Sequence, residues 1–397
     1  MMNSLLKNKS FSIFRSVGLN LTRTSFFACF FLISNSIYAE ITESELSLLS
    51  KSAGTKVQLE KVAKGLSIPW GMSFLSKYEL LITERNGQIK LLDLKSKQLH
   101  KIKNPPKVFS KGQAGLLDVA AGPDYNTSQW IYFTYVKNLD EQGVTTLARA
   151  KLNQYQLQQW QDLLVTQSNT DELQHFGSRI AFDNKGHIFF GIGDRGERSS
   201  AQDLSNHAGT IIRLNLDGSI PSDNPFINKD NILPEIWSYG HRNPQGLSYD
   251  SKNNRLWEIE HGPRGGDEIN LIHPSFNYGW PVISYGKEYW SPMSVGEGTH
   301  RRGMQQPRKI YTPSIAPGSL LYYSGDALPQ WKGNLFTGAL KLRHINRVII
   351  NKEGEMINEE RLLESLDQRI RALAQSREGW LYFSTDSGNI YRLRPTQ

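Results

Sequence analysis

One phrase recurs along the chain and constrains its fold more than any other feature. A small or polar motif is followed by two or three apolar residues, a turn, and further short alternating runs. It reads PWGMSFLSKYELLITERNGQIKLLDL from Pro69, GLLDVAAGPDYNTSQWIYFTYV from Gly115, and GSRIAFDNKGHIFFGIGDRG from Gly177. It returns as PQGLSYDSKNNRLWEIEHGP from Pro244, PGSLLYYSGDALPQWKGNLFTGAL from Pro317 and IRALAQSREGWLYFSTDSGNIYRLRP from Ile370. Alternation with period two, cut by Asn86-Gly87, Pro123-Asp124, Glu378-Gly379 and Ser387-Gly388, is a strand-and-turn signal. Six units of three or four strands predict an all-β chain, a six-bladed β-propeller. A β-sandwich with accidental similarity between strand pairs is the competing reading. The stretch from Ala148 to Leu164 is ambiguous between strand and helix. In a propeller the loops at one end of a central channel converge, so chemistry is expected from matching places in distant repeats.

The first 39 residues have a different character. Lys7, Lys9, Arg15 and Arg23 precede any acidic residue, Phe26 to Ile33 is a short apolar core, and Ser36-Ile37-Tyr38-Ala39 offers a cleavage site. The apolar run is well short of the roughly 20 residues that span a bilayer, so 1–39 is expected to be a secretory signal and 40–397 the propeller. Ile37 is bulky for its position, and an uncleaved anchor is the alternative. The expected location is periplasmic or secreted, with no membrane span in the mature chain. The sole cysteine, Cys29, lies in the leader, which excludes disulfides and cysteine metal sites beyond it. The net charge of +8 at pH 7 halves once the four leader cations are set aside. Charges of both signs are interspersed in the remainder, so no nucleic-acid partner is expected.

The densest chemistry lies between Trp237 and Trp280. It holds Gly240-His241-Arg242-Asn243-Pro244-Gln245-Gly246, then His261-Gly262-Pro263-Arg264-Gly265-Gly266-Asp267-Glu268-Ile269-Asn270, then Asn277-Tyr278-Gly279-Trp280-Pro281. Upstream stand His175-Phe176-Gly177-Ser178-Arg179 and Gly193-Asp194-Arg195-Gly196. Together these motifs resemble the soluble sugar dehydrogenases, glucose and aldose, that use pyrroloquinoline quinone (PQQ). The resemblance runs from about Gly65 to Arg394. It implies a six-bladed propeller that oxidises the anomeric hydroxyl of an aldose to a lactone, with PQQ and Ca²⁺ as cofactors and an external electron acceptor.

His175 falls on the family's catalytic base, and an imidazole titrates near working pH, which suits proton abstraction. Asp194 would orient the protonated ring, or be a turn aspartate only. Arg242 and Asn243 would stabilise charge developing on the quinone oxygen; a surface ion pair is the bland reading of the arginine. PQQ carries three carboxylates, and Lys341, Arg369 and Arg371 supply cations. Arg369 and Arg371 share one face if their stretch is extended, and arginine grips a carboxylate through two hydrogen bonds. The resemblance adds Gln113, Tyr289, Ala339 and Leu340 to the cofactor contacts. It assigns the carbonyls of Gly262 and Pro263 to the cofactor calcium, and the Glu268 carboxylate and Tyr278 carbonyl to a structural calcium. Carbonyl ligands leave no trace in sequence, and Asp267-Glu268 also reads as a charged turn.

The chain departs from the glucose dehydrogenase branch at His261, where that branch has glutamine, and at Thr312, where it has an aromatic residue. A long insertion of that branch is also missing. Two rivals remain. A calcium-dependent propeller lactonase would line its channel with acidic ligands rather than arginines. A non-catalytic propeller that binds sugar or an envelope partner would need no base.

Overall fold

The computed structural model describes residues 56–183 and 185–396. The expected leader and its cleavage site lie outside the described residues. Six four-stranded antiparallel sheets account for the described strands. The strand β1 (Val57–Ala63) comes first in the chain and last in the architecture. Blade 1 is β2 (Pro69–Phe74), β3 (Glu79–Glu84), β4 (Ile89–Asp93) and β5 (Gln98–Lys101). Blade 2 is β6 (Leu116–Ala121), β7 (Trp130–Leu139), β8 (Gln142–Asn153) and β9 (Gln156–Val165). Blade 3 is β10 (Ile180–Phe182), β11 (His187–Ile192), β12 (Thr210–Asn215) and β13 (Ile236–Tyr239). Blade 4 is β14 (Pro244–Asp250), β15 (Arg255–Glu260), β16 (Asp267–Ile272) and β17 (Lys309–Tyr311). Blade 5 is β18 (Pro317–Tyr322), β19 (Leu335–Ala339), β20 (Ile345–Ile350) and β21 (Met356–Leu362). Blade 6 is β22 (Ile370–Gln375), β23 (Leu381–Thr385) and β24 (Ile390–Pro395), completed by β1, with Val57 opposite Pro395. The N-terminal strand thus closes the ring by pairing with the C-terminal one as the outermost strand of blade 6.

The six recurring phrases each open one blade. The ambiguous stretch from Ala148 to Leu164 is strand, in β8 and β9, because its apolar side chains fill an interblade layer. Each strand sends alternate residues to opposite neighbours, as its pleat requires. On β3, Leu81 packs toward blade 2 while Leu80 and Ile82 pack toward blade 6. On β11, Ile188 and Phe190 face blade 2 while Phe189 faces blade 4. Six such apolar layers lie between successive blades. At the axis the inner strands crowd. A Cβ on Gly246 would lie 2.5 Å from the Leu320 nitrogen, and one on Gly71 2.7 Å from an Asp118 oxygen. Only glycine permits that approach.

One side chain ties the ring together. Arg179, just before β10, is buried in the channel. Its guanidinium donates to Trp70 O (2.8 Å), Asp118 Oδ1 (3.0 Å), Gln245 O (3.2 Å), Gly318 O (2.5 Å) and Arg371 O (2.9 Å). Those partners sit on the inner strands of blades 1, 2, 4, 5 and 6, and Arg179 leads into that of blade 3. Its Cζ also lies 3.9 Å from the centroid of Trp70.

Candidate active site

Arg179 and Asp118 divide the channel. On one side opens a cavity of about 320 Å³, lined by inner-strand residues such as Met72, Leu247 and Leu320. Its charged lining is the Arg179–Asp118 pair itself, already mutually satisfied. The other side opens into a cleft of about 170 Å³ lined by Trp70, Arg85, Gln113, Asn243, His261, Leu340, Arg369 and Arg371 among others. Beside it a recess of about 240 Å³ is lined by Gly262, Pro263, Tyr289 and Lys341, again with His261. The residues singled out in the sequence gather at this end, delivered by loops between blades.

His175 lies in the loop entering blade 3. Its Nδ1 is 2.6 Å from Asp194 Oδ1, its amide donates to Gln113 Oε1 (3.0 Å), and its Nε2 has no protein partner among the described residues. The backbone there is left-handed, with φ +55° at His175 and +54° at Arg195. Such non-glycine conformations cost roughly 1–3 kcal/mol and persist where surroundings impose them. Arg195 supplies that constraint by donating to the carbonyls of Gln174, Glu172 and Gly143 and stacking on Phe176. Burial holds the His175 pKa below its ordinary value; the charges of Arg242 and Arg195 add to this, and the Asp194 hydrogen bond opposes it. Burial works to raise the Asp194 carboxyl, but the hydrogen bond from His175, nearby positive charge and the Gly196 amide together hold it low. Asp194 also accepts from Trp280 Nε1 at 2.7 Å. It is therefore an ionised anchor with both oxygens engaged, more than a turn residue.

Arg242 and Asn243 stand where the GHRNPQG phrase enters β14. Their amides are fixed by the Glu260 carboxylate. Arg242 Nη1 donates to the carbonyls of His261 (3.1 Å) and Gly262 (3.0 Å), and its Cζ lies 5.2 Å from the Trp280 ring centre. Its Nε is buried without a partner. This is not a surface ion pair.

The cation constellation needs two corrections. Arg369 and Arg371 do share a face, flanking the core residue Ile370, but both bind one carboxylate, Asp386, at 2.8 Å. Part of their charge is thereby neutralised. Ala339 is fully buried in the layer between blades 4 and 5, so its side chain reaches neither recess, whereas Leu340 and Lys341 do. The reason is β-strand geometry: Ala339 is the last residue of β19 and its neighbours lie beyond the strand end.

Four contributors were missed. The Arg85 guanidinium lines the cleft with no hydrogen-bonded partner among the described residues, and burial followed by repulsion from Arg371 lowers its pKa. His261 joins the cleft to the recess. Its Nε2 lies 2.6 Å from Pro317 O, an acceptor, so Nε2 carries the proton and Nδ1 the lone pair. Burial, against the pull of Pro317 O and helped by nearby positive groups, lowers its pKa to about 3, so the ring is neutral. Trp280 holds Asp194, and Asp386 holds the arginine pair. The phrases HGP, GWP and TDSG contained the last three; no spacing rule marks Arg85.

A buried cluster of groups that could hold a metal ion also emerges. Glu258 faces Asn270 and Glu260 faces Glu268 across β15 and β16. The ligand atoms of His241, Glu258 and Glu260 lie within 4.8 Å of one another. Glu258 Oε1 and Asn270 Oδ1 are buried without partners. Burial, then repulsion from Glu260, pushes Glu258 and Glu268 well above the usual carboxylate range. Glu268 and Tyr278 line one small recess beside Arg242, and the Tyr278 ring stacks on His241 at 4.7 Å. The Gly262 and Pro263 carbonyls each accept a protein donor, Arg242 and Ser314 respectively. A carbonyl has a second lone pair, so this leaves capacity for a cation.

Fold and site together define a propeller with a buried histidine–aspartate pair beside an arginine-rich cleft. Residues 66–392 match the family model of glucose/sorbosone dehydrogenases, and the chain belongs to that family. It is 36% identical over 354 residues to the aldose sugar dehydrogenase YliI of Escherichia coli, spanning 87% of this chain and 94% of the relative. The apo structure of the soluble aldose sugar dehydrogenase of E. coli superposes with a TM-score of 0.82 at 34% identity, covering 86% of this chain and 100% of the other. A PQQ-bound aldose sugar dehydrogenase of Streptomyces coelicolor gives 0.71 at 26% identity, covering 86% and 98%. Among the described residues no helix is long and apolar enough to cross a membrane.

Proposed function

We propose that this protein is an exported dehydrogenase that oxidises the anomeric hydroxyl of aldoses to lactones, using PQQ and Ca²⁺ and passing electrons to an external acceptor. The observation that carries the reading is a single cleft in which Arg85, Arg369, Arg371 and Asn243 stand beside a histidine base, with Lys341 in the adjoining recess. An Arg85 guanidinium and a Lys341 ammonium without hydrogen-bond partners among the described residues, together with the orphaned Arg242 Nε, fit a polyanion. The unsatisfied oxygens of Glu258 and Asn270, with Glu260 and Glu268, fit a hard cation that takes oxygen ligands. PQQ, when bound, supplies the two-electron acceptor that no side chain here can provide.

The chain's own residues then do the rest. His175 Nε2 takes the proton of the anomeric hydroxyl, while Asp194 keeps Nδ1 protonated and stabilises the imidazolium that forms. Trp280 keeps Asp194 from turning away. Arg242 and Asn243 present donors to negative charge that grows during the reaction, where such donors count most. His261, neutral and with Nδ1 as acceptor, can orient a donor without adding charge to an already cationic site.

The decisive experiment adds PQQ and Ca²⁺ to purified protein and follows dye reduction with a panel of sugars. Activity should require both additions. Undiminished dye reduction in cofactor-free, EDTA-treated protein contradicts the reading. A second measurement probes the cleft without turnover. Each charge-assisted hydrogen bond is worth about 1.5–3 kcal/mol, or roughly tenfold to a hundredfold in affinity. Arg85→Gln should raise the PQQ dissociation constant by that factor in a direct titration. An unchanged constant removes Arg85 from the site.

A further inference from the structure

We propose that Trp290 is a stacking platform for the second sugar ring of an oligomeric aldose, at the rim of the cleft that takes the anomeric end. The proposal rests on the reading above for what that cleft accepts. Trp290 is the most exposed large apolar side chain among the described residues, at 74%, with Met293 at 64% and Tyr289 at 60% beside it. An indole left in water is ordinary on a loose loop, but this loop is pinned. Glu288 N bonds Met293 O (2.9 Å), and Arg264 and Lys287 exchange backbone hydrogen bonds of 3.1 Å. Arg264 Nη2 reaches Ser291 O (2.6 Å), and Arg198 grips Glu288 through two bonds of 2.7 and 2.8 Å. The turn holds its aromatic tip out in a fixed place.

A chain of contacts links that place to the base. The Arg198 guanidinium lies 5.9 Å from the Trp290 ring centre and 5.5 Å from that of Trp280, which in turn bonds Asp194, the partner of His175. Tyr289, the preceding residue, lines the recess with Lys341, Gly262 and Pro263. A pyranose has an apolar C–H face and a rim of hydroxyls. The indole's electron-rich face suits the first, and the Arg198–Glu288 pair offers donors and acceptors to the second. Three side chains fall well short of the roughly 800 Å² per partner that a specific protein interface buries, so a sugar fits the patch better than a protein.

The test uses the full protein, with maltotriose and glucose as probes. Binding is measured by calorimetry without added cofactor, and steady-state oxidation with PQQ and Ca²⁺ present. Trp290→Ala should weaken maltotriose binding and raise its KM about tenfold, the scale for losing one apolar contact face, with kcat unchanged. Glucose binding and KM should not move, and Trp290→Tyr should recover most of the loss. An equal effect on both sugars, or none on maltotriose, overturns the platform. If the wild type binds maltotriose more tightly than glucose but oxidises neither, the proposed activity fails and the platform stands. If it oxidises both but binds them equally, the platform fails and the activity stands.

Discussion

Replacing Arg179 with methionine should cost the protein at least about 4 kcal/mol of stability, a large part of the 5–15 kcal/mol by which a domain is usually stable. Breaking a buried ion pair by removing one partner typically costs about 3–5 kcal/mol, because the other charge stays buried and unpaired. Here the survivor is Asp118, whose carboxyl burial already pushes upward while Arg179 pulls it back. Four backbone carbonyls, of Trp70, Gln245, Gly318 and Arg371, would lose a donor as well. Because these lie on five blades with Asp118, the loss should loosen the whole ring rather than one sheet. Denaturant unfolding checks the magnitude. Adding Asp118→Asn to Arg179→Met should recover a good part of the loss, since the amide oxygen can still accept from Ile180 N without carrying charge. A single mutant within about 1 kcal/mol of wild type would contradict this account.

The fold was legible because the repeat and the period-two alternation act on the same residues. The phrases beginning at Pro69, Pro244 and Pro317 mark inner strands whose crowded axis demands glycine, and that demand is local enough to leave a spelling. Ala148–Leu164 was not legible, because periodicity alone does not distinguish a twisted outer hairpin from an amphipathic helix. His175, Arg242 and Asn243 could be singled out from the HFGSR and RNP phrases. What escaped was pairing between segments separated in sequence. Nothing in the sequence says that Asp386 sits between Arg369 and Arg371, or that Arg85, from a turn in blade 1, lines one cleft with Asn243 and His261. The first arrangement depends on the register of β22 with β23 inside blade 6, and the second arises only once the propeller closes and brings loops of distant blades together. Glu268 entered through the resemblance, but its neighbours Glu258, Glu260 and Asn270 were hidden for another reason. Glu258, Glu260, Glu268 and Asn270 alternate like the polar face of any strand, and only their cross-strand register shows that the face is buried.

His175→Ala should leave PQQ binding intact and lower turnover by about 10²–10⁴, the range that general-base removal usually costs. The geometry explains why no neighbour can substitute. Without the imidazole Asp194 still has both oxygens committed, to Gly196 N and Trp280 Nε1, and His261, with a pKa of about 3, is too weak a base to take the proton near neutral pH. Alanine is also strained where φ is +55°, so a relaxed loop is a second route to lost turnover that the alanine variant alone does not separate from a missing base. Asparagine tolerates the left-handed region and fills similar space. His175→Asn should therefore be as slow as His175→Ala, and its return to wild-type turnover would remove the imidazole from the mechanism. The wild-type pH profile gives an independent reading. The base must be neutral to accept a proton, and burial lowers its pKa below 6.5. Activity is then present above the lowered value and lost as pH falls through it, so the acid limb of kcat/KM, which reports the free enzyme, should have its midpoint below pH 6.5. An acid limb centred above that value would mean that Asp194 outweighs burial.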